Sequence, residues 1–186
     1  MGYLRPAGSG AAWGAPEHAC VAAFDRELDY IFVTLRRLGA KPSEVEDLAQ
    51  EVFLVLHKNW ATIDPTRSLR PYLFAIAFRI VSAYWRRQRR EIPVELGELE
   101  DEGATPESAL QSREAASLLL AALERVPLRR RAVIIMHELD GVPIVEVARR
   151  LSISQFGTYA RLRKGRAELR TAIKRLLQAG RAKGNA

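Results

Sequence analysis

A stretch near the C-terminus combines amide, aromatic and cationic side chains on what reads as a single helix. Two short apolar patterns flank a three-residue break at 152–154, which is the spacing of a helix-turn-helix unit. Arginine can donate two hydrogen bonds to guanine in the major groove, and glutamine can pair with adenine. The pattern predicts a duplex-reading face, although a helical hairpin with a solvated basic face is the simpler alternative. The predicted contact residues are Gln155, Tyr159, Ala160, Arg161, Arg163, Lys164 and Arg166.

A second group of residues suits unpaired bases. Four arginines end a helix that also carries five aromatic side chains between Tyr72 and Trp85. Aromatic faces stack on unpaired bases while guanidinium groups hold the backbone. Helical spacing places Phe74 and Phe78 near the apolar stripe, where burial is expected, whereas Tyr72, Trp85 and the loop residue Trp60 are candidates for exposure.

A third group, between Glu46 and His57, is acidic within the otherwise basic first body of the chain. Asp47, Gln50 and Glu51 fall together, and the opposite side is apolar. Such a helix could dock a protein partner, and an ordinary solvated face explains the pattern equally well.

The sequence predicts no catalytic residue, no metal site and no cofactor. The three histidines sit on separate segments, and no paired acidic motif or Gly-rich phosphate loop appears. Cys20 is the only cysteine, so it has no partner for a disulfide or a shared metal within the chain. A nuclease or another nucleic-acid enzyme is therefore disfavoured.

In the segments that carry these three groups, apolar residues recur at helical spacing, which predicts helices. No segment shows strand alternation, so the predicted fold class is all-α. Ser43 and Glu46, at the start of the helix predicted at 43–60, have the spacing of a capping box. The predicted helices cover residues 20–38, 43–60, 69–90, 106–126, 128–139, 144–151 and 156–177.

Charge divides the chain into two basic bodies joined by an acidic strip. Residues 91–112 hold seven acids and no base, whereas residues 125–186 hold fifteen bases and four acids. No apolar run approaches the ~18 residues of a membrane span, so a cytoplasmic protein is expected. The predicted organisation is a disordered leader at 1–16, helical domains at 17–91 and 113–178, a flexible acidic linker at 92–112 and a disordered tail at 179–186.

Taken in chain order, from the acidic helix to the C-terminal helix, the three groups resemble the extracytoplasmic-function branch of bacterial sigma factors over roughly Phe24 to Leu177. The segment from Asp47 to His57 is similar to the family motif that binds core RNA polymerase, with His57 replacing the usual tryptophan. The YWRR string at Tyr84 to Arg87 is similar to the part of region 2 that melts the minus-10 element and holds a flipped base. The C-terminal unit resembles region 4, which reads the minus-35 element as a duplex.

The resemblance implies three sets of functional residues and three partners, namely core RNA polymerase, promoter DNA and a cognate anti-sigma factor. For polymerase binding the set is Asp47, Gln50, Glu51 and Leu54. For the minus-10 element it is Trp60, Arg67, Tyr72, Arg79, Tyr84, Trp85, Arg86 and Arg87. For the minus-35 element it is the set of the C-terminal helix given above.

The recognition helix departs from the family pattern. Where relatives carry a GTVKSRL-like string, alignment on Arg161 and Leu162 leaves residues 156–160 different, so promoter preference does not carry over. The alternative to a sigma factor is a stand-alone dimeric helix-turn-helix regulator. That alternative gives no purpose to the acidic helix or to the aromatic-arginine helix.

Overall fold

A computed structural model describes residues 16–64, 67–91 and 107–184 of the 186-residue chain. Within these ranges the regular structure is helical, which confirms the all-α fold class. The eight α-helices are α1 (Pro16–Arg26), α2 (Leu28–Leu38), α3 (Val45–Lys58), α4 (Arg70–Glu91), α5 (Glu107–Glu124), α6 (Leu128–Ile134), α7 (Ile144–Arg150) and α8 (Gln155–Gly184).

The first predicted helix, 20–38, is in fact two helices that break at Glu27. The Glu27 backbone N–H bonds to the Phe24 carbonyl three residues back, which tightens the chain at this point. The break turns the Glu27 carboxylate toward Arg70, whose Nε lies 2.7 Å away. The break between α1 and α2 thus coincides with a contact between segments that are distant in the sequence.

The predicted capping box at Ser43 is wrong. Pro42 starts a short 3₁₀ turn that ends at Glu44, so α3 begins at Val45 and Ser43 lies inside the turn. Proline favours such a start because its ring fixes φ near the helical value. Consequently no side chain caps the first amides of α3.

Two further boundaries differ from the prediction. The helix expected at 128–139 keeps α-helical geometry only to Ile134 and continues as a wider π-helical turn to Leu139. The last helix continues to Gly184, so residues 179–184, predicted as a disordered tail, are helical. Of the predicted acidic linker, residues 107–112 begin α5, and residues 92–106 lie outside the described residues, as do 1–15 of the predicted leader.

The first body, α1 to α4, and the second body, α5 to α8, pack against each other. Helix α2 contacts α5 and α6, and α4 contacts α7. Buried side chains of both bodies, such as Leu35, Val81, Leu123 and Met136, belong to one continuous hydrophobic cluster. The helices of each body are therefore held in place by packing within that body and also by packing against the other body.

Candidate nucleic-acid interface

Helices α7 and α8 form the predicted helix-turn-helix. Between them Ser152 takes a left-handed backbone conformation with φ of 55°. Ser154 then caps α8, because its Oγ accepts the Gly157 N–H at 3.0 Å. Thr158 and Leu162 are buried beneath the helix, and Thr158 Oγ1 also donates to the Ser154 carbonyl at 2.9 Å. The start of α8 is thus fixed in position and in rotation.

Close packing of α8 on α6 depends on Gly165. A Cβ at this position would lie 2.8 Å from Cδ1 of Ile134, too close for any side chain without a shift. The ion pair between Arg130 Nε and Glu168, 2.7 Å apart, joins the same two helices. Sequence reasoning missed Gly165, and the available signal was a glycine inside a long helical pattern.

The outer face of α8 carries the predicted duplex-reading residues. Gln155, Tyr159, Arg163, Lys164 and Arg166 are exposed. Ala160 and Arg161 are half-buried at the edge of this face. One of the cations is already engaged, since Arg166 donates both Nε, at 3.0 Å, and Nη2 to the Glu138 carboxylate. The structure therefore brings the seven residues together on one helix.

The cations predicted to contact the minus-10 element differ in their environment. Arg79 and Arg86 are exposed, and Arg86 Nε donates to the Ser82 carbonyl at 3.2 Å. Arg87 Nη2 lies 3.7 Å from the Glu51 carboxylate of α3, which links this group to the acidic helix. Arg67 is exposed before α4, and its Nε lies 3.3 Å from the Asp64 carboxylate.

The aromatic residues of the same group are more enclosed than the sequence suggested. Tyr84 is only 7% exposed, its hydroxyl accepts a hydrogen bond from Gln88 at 2.7 Å, and burial raises its pKa. Its ring meets that of Trp85 edge to face, with centroids 5.5 Å apart. Trp60, Tyr72 and Trp85 are half-buried against the core rather than fully exposed. Phe74 is buried, as expected, whereas Phe78 is half-buried.

Part of this enclosure comes from the second body. The guanidinium carbon of Arg150, in α7, lies 5.6 Å from the centre of the Tyr72 ring. This is the distance of a cation–π contact, which contributes ~0.5 to 1 kcal/mol at exposed sites. The helix-turn-helix thus covers one of the aromatic residues that the sequence assigned to unpaired DNA.

The acidic helix α3 presents Asp47, Gln50, Glu51 and Leu54 to solvent. Leu54 is 65% exposed, whereas Leu48 and Val52 are buried on the opposite side. The role of this face in binding a protein partner stays a prediction.

Arg131 of α6 joins the two bodies. It is buried, and it donates to three backbone carbonyls, those of Glu124 at 2.6 Å, Leu38 at 2.8 Å and Val126 at 3.2 Å. Burial lowers the pKa of Arg131 to about 10, so the group stays protonated at neutral pH. Only the Leu38 carbonyl belongs to the first body, at the end of α2. That bond is one of the polar links between the bodies.

A second link centres on Asp140, just after the π-helical turn. The Tyr30 hydroxyl donates to Asp140 Oδ2 at 2.7 Å, and Arg37 Nη1 lies 3.6 Å from Oδ1. Burial raises the pKa of the Asp140 carboxyl, against the opposing effects of Tyr30 and Arg37. Burial and the Asp140 charge together raise the pKa of the Tyr30 hydroxyl.

Comparison with known proteins matches both bodies. The family described as Sigma-70 region 2 matches residues 23–91, and the family described as Sigma-70, region 4 matches residues 116–169. Together these ranges cover more than half of the chain. The chain belongs to the extracytoplasmic-function (ECF) branch of the sigma-70 family.

Individual relatives of this sigma factor share moderate identity with it. It is 31% identical to the ECF RNA polymerase sigma factor SigF of Caulobacter vibrioides over 125 residues, which span 65% of this chain and 66% of that protein. It is 24% identical to the ECF RNA polymerase sigma factor SigW of Bacillus subtilis over 159 residues, which span 80% and 85%.

Two solved structures share the fold of this sigma factor. RpoE in complex with the anti-sigma factor NepR from Bartonella quintana matches with a TM-score of 0.62 and 19% identity, over 81% of this chain and 96% of that one. CnrH in complex with the cytosolic domain of CnrY matches with a TM-score of 0.58 and 22% identity, over 89% and 91%. In the part of the chain that the structure describes, no helix is both long and apolar enough to cross a membrane.

Proposed function

We propose that this sigma factor binds core RNA polymerase, directs it to promoters with minus-35 and minus-10 elements, and promotes the melting of DNA for initiation. The observation that carries the proposal is the presence of both region 2 and region 4 in one chain. The protein would act in the cytoplasm, as a binding subunit and not as an enzyme.

The two bodies would divide the work. The exposed acid, amide and leucine groups of α3 suit a polymerase-docking surface, with Leu54 as its apolar centre. The arginines of α4 and the neighbouring aromatic rings suit single-stranded DNA, since rings stack on bases and cations hold phosphates. The outer face of α8 suits the major groove of a duplex.

The packed arrangement of the bodies bears on how they would reach DNA. Elements named minus-10 and minus-35 lie 25 base pairs apart, which is about 85 Å at 3.4 Å per base pair. Helix α8 has 30 residues and so is about 45 Å long, yet its partner α7 contacts α4 directly. The two reading faces cannot occupy both elements while the bodies stay packed. Initiation would therefore require the bodies to separate.

An anti-sigma factor is a further proposed partner. Support comes from the shared fold with RpoE, which was solved in complex with an anti-sigma factor. A protein that holds this chain in the packed form would prevent the separation that promoter binding needs.

Transcription in vitro with core polymerase is the direct test. We expect the purified chain to support initiation from a restricted set of promoters, identified by sequencing the run-off transcripts. A matched variant, Leu54→Ser, should reduce polymerase binding, whereas Leu177→Ser, an exposed leucine at the far end of α8, should not. Tight promoter binding without polymerase, together with no initiation, would contradict the proposal and favour the stand-alone regulator.

A further inference from the structure

The first turn of α8 carries a residue that the family pattern does not explain. Phe156 is 85% exposed, the largest exposed fraction among the large hydrophobic side chains of the described residues. A single exposed apolar side chain is ordinary on a protein surface. This one, however, lies at the N-terminal end of a recognition helix, where helix-turn-helix proteins contact base edges.

The direction of Phe156 is fixed by the residues behind it. Thr158, Leu162 and Gly165 are buried and form the inner face of α8. Positions 156, 160 and 163 follow each other by three or four residues, so they share the opposite, outer face. The Ser154 cap holds the first turn in place, and the Phe156 ring therefore projects away from the body.

The outer face changes chemistry along its length. Phe156 and Ala160 are apolar, and Arg163 and Lys164 follow in the next turn. The cations can contact phosphates or guanine, whereas a phenyl ring has no donor or acceptor for a base edge. In the major groove the apolar feature is the C5-methyl group of thymine, which phenylalanine and alanine side chains contact.

We propose that Phe156 is a specificity-determining residue that packs on the C5-methyl of a thymine in the minus-35 duplex. The upstream element of this factor then contains thymine at the position beneath the first turn of α8. The inference rests on the proposed function, because it requires that α8 enters the major groove of that element. It concerns only base preference and not the ability to initiate.

Removal of the methyl group alone is the sharpest test. The minus-35 element of an active promoter is first randomised, and holoenzymes made with the natural chain and with Phe156→Ser select their preferred sequences. We expect the natural chain to prefer thymine at one position, and Phe156→Ser to lose that preference. Uracil is then placed there, since it pairs like thymine but lacks the methyl. The natural holoenzyme should bind this promoter about three- to fivefold more weakly, the loss expected for one methyl-sized contact.

The same two promoters are then bound by holoenzyme made with Phe156→Ser. Phe156→Ser holoenzyme should bind the thymine and uracil promoters equally, because it has no ring to contact the methyl. Leu177→Ser, an exposed apolar position elsewhere on α8, should keep the thymine preference and the response to uracil. Because Phe156 is exposed, thermal unfolding of Phe156→Ser should match that of the natural chain.

Three results would overturn the inference. Equal binding of thymine and uracil promoters by an active natural holoenzyme would leave the proposed function intact but remove the methyl contact. A Phe156→Ser effect on polymerase affinity alone, with unchanged base preference, would assign the ring to a protein contact. Absence of initiation from every promoter would instead contradict the proposed function.

Discussion

The two DNA-reading faces of this sigma factor differ in how accessible they are. On α8 the outer face is open, and Phe156 and Tyr159 are 85% and 58% exposed. On α4 the aromatic rings are half-buried or buried, and Arg150 of the second body lies over Tyr72. The face predicted to read duplex DNA is thus open in the packed form, whereas the face predicted to melt DNA is partly covered.

The difference suggests an order of events. A face that reads paired DNA can act before the bodies separate, because it needs no rearrangement of its own body. The rings of α4 can stack on bases only after the DNA strands have separated. Their partial burial in the packed form therefore does not impede the earlier binding of duplex DNA. We therefore expect the packing between the bodies to separate duplex binding from melting, and variants of that packing test this expectation.

Loss of the Arg131 side chain should have the largest effect. Arg131→Met removes three hydrogen bonds to carbonyls, one of which joins the bodies. Since bonds from charged donors contribute ~1.5 to 3 kcal/mol each and do not add fully, we expect the free energy of unfolding to fall by ~2 to 4 kcal/mol. Urea denaturation measures the change. Arg129→Met, at an exposed neighbouring position, should stay within ~0.5 kcal/mol of the natural chain.

The division of labour between the faces predicts separable defects. Trp85→Ala should reduce promoter melting, measured by permanganate reactivity of unpaired thymines, and Arg163→Ala should reduce binding of the upstream duplex. Each loss should be about 5- to 150-fold, since stacking on one base and a bidentate arginine contact are each worth ~1 to 3 kcal/mol. Trp85→Phe serves as the control for packing, because it keeps an aromatic ring against the core. If either alanine variant impaired both steps to the same degree, the comparison would fail.

Opening of the bodies should respond to the link at Asp140. Tyr30→Phe removes the hydroxyl that donates to the buried carboxylate but keeps the ring. We expect the open population to rise about 10-fold, as a hydrogen bond to a charged acceptor contributes ~1.5 kcal/mol at the low end of its range. Spin labels at Lys58→Cys and Lys174→Cys, in a Cys20→Ala background, report the distance between the bodies. An unchanged distance distribution would show that this bond does not hold them together.

The smallest effect concerns pH. The packed form raises the pKa of the Asp140 carboxyl above its ordinary value of 3.8, so packing favours the protonated carboxyl. This contribution to packing is complete below pH 3.8 and is lost as the pH rises through the raised pKa. Acidification from pH 7 toward pH 4 should therefore shift the same spin-label distances toward the packed form, by a few-fold at most. Asp140→Asn should remove that part of the pH response.

Much of the second body could be predicted from the sequence. Apolar spacing located the helix-turn-helix, and it placed Gln155 and Arg163 outside, as the structure confirms. Such assignments succeed because an amphipathic helix buries its apolar face whatever else surrounds it. The family and its function also followed from the order of three local patterns.

The burial of Tyr84 shows where the pattern was misread. Leu73, Ala77 and Val81 are buried, and Tyr84 continues their spacing by three residues. The signal for its burial was present, but the neighbouring arginines favoured the interpretation of an exposed, DNA-binding ring. Its role in minus-10 binding stays a prediction.

The packing between the bodies could not be predicted. Arg131 appears in the sequence as one of fifteen cations in a basic region, yet it bonds to a carbonyl 93 residues away. The Tyr30 to Asp140 bond spans 110 residues. Local periodicity carries no information about such contacts, because they depend on how finished helices meet.

The covalent connection between the two bodies affects how a partner can separate them. Because both bodies belong to one chain, neither body can diffuse away from the other after they separate. If polymerase binds a single body, the other body stays nearby and competes with it for the packed surface. If polymerase binds both bodies at once, this competition ends, so binding of both bodies together is favoured over binding of one after the other.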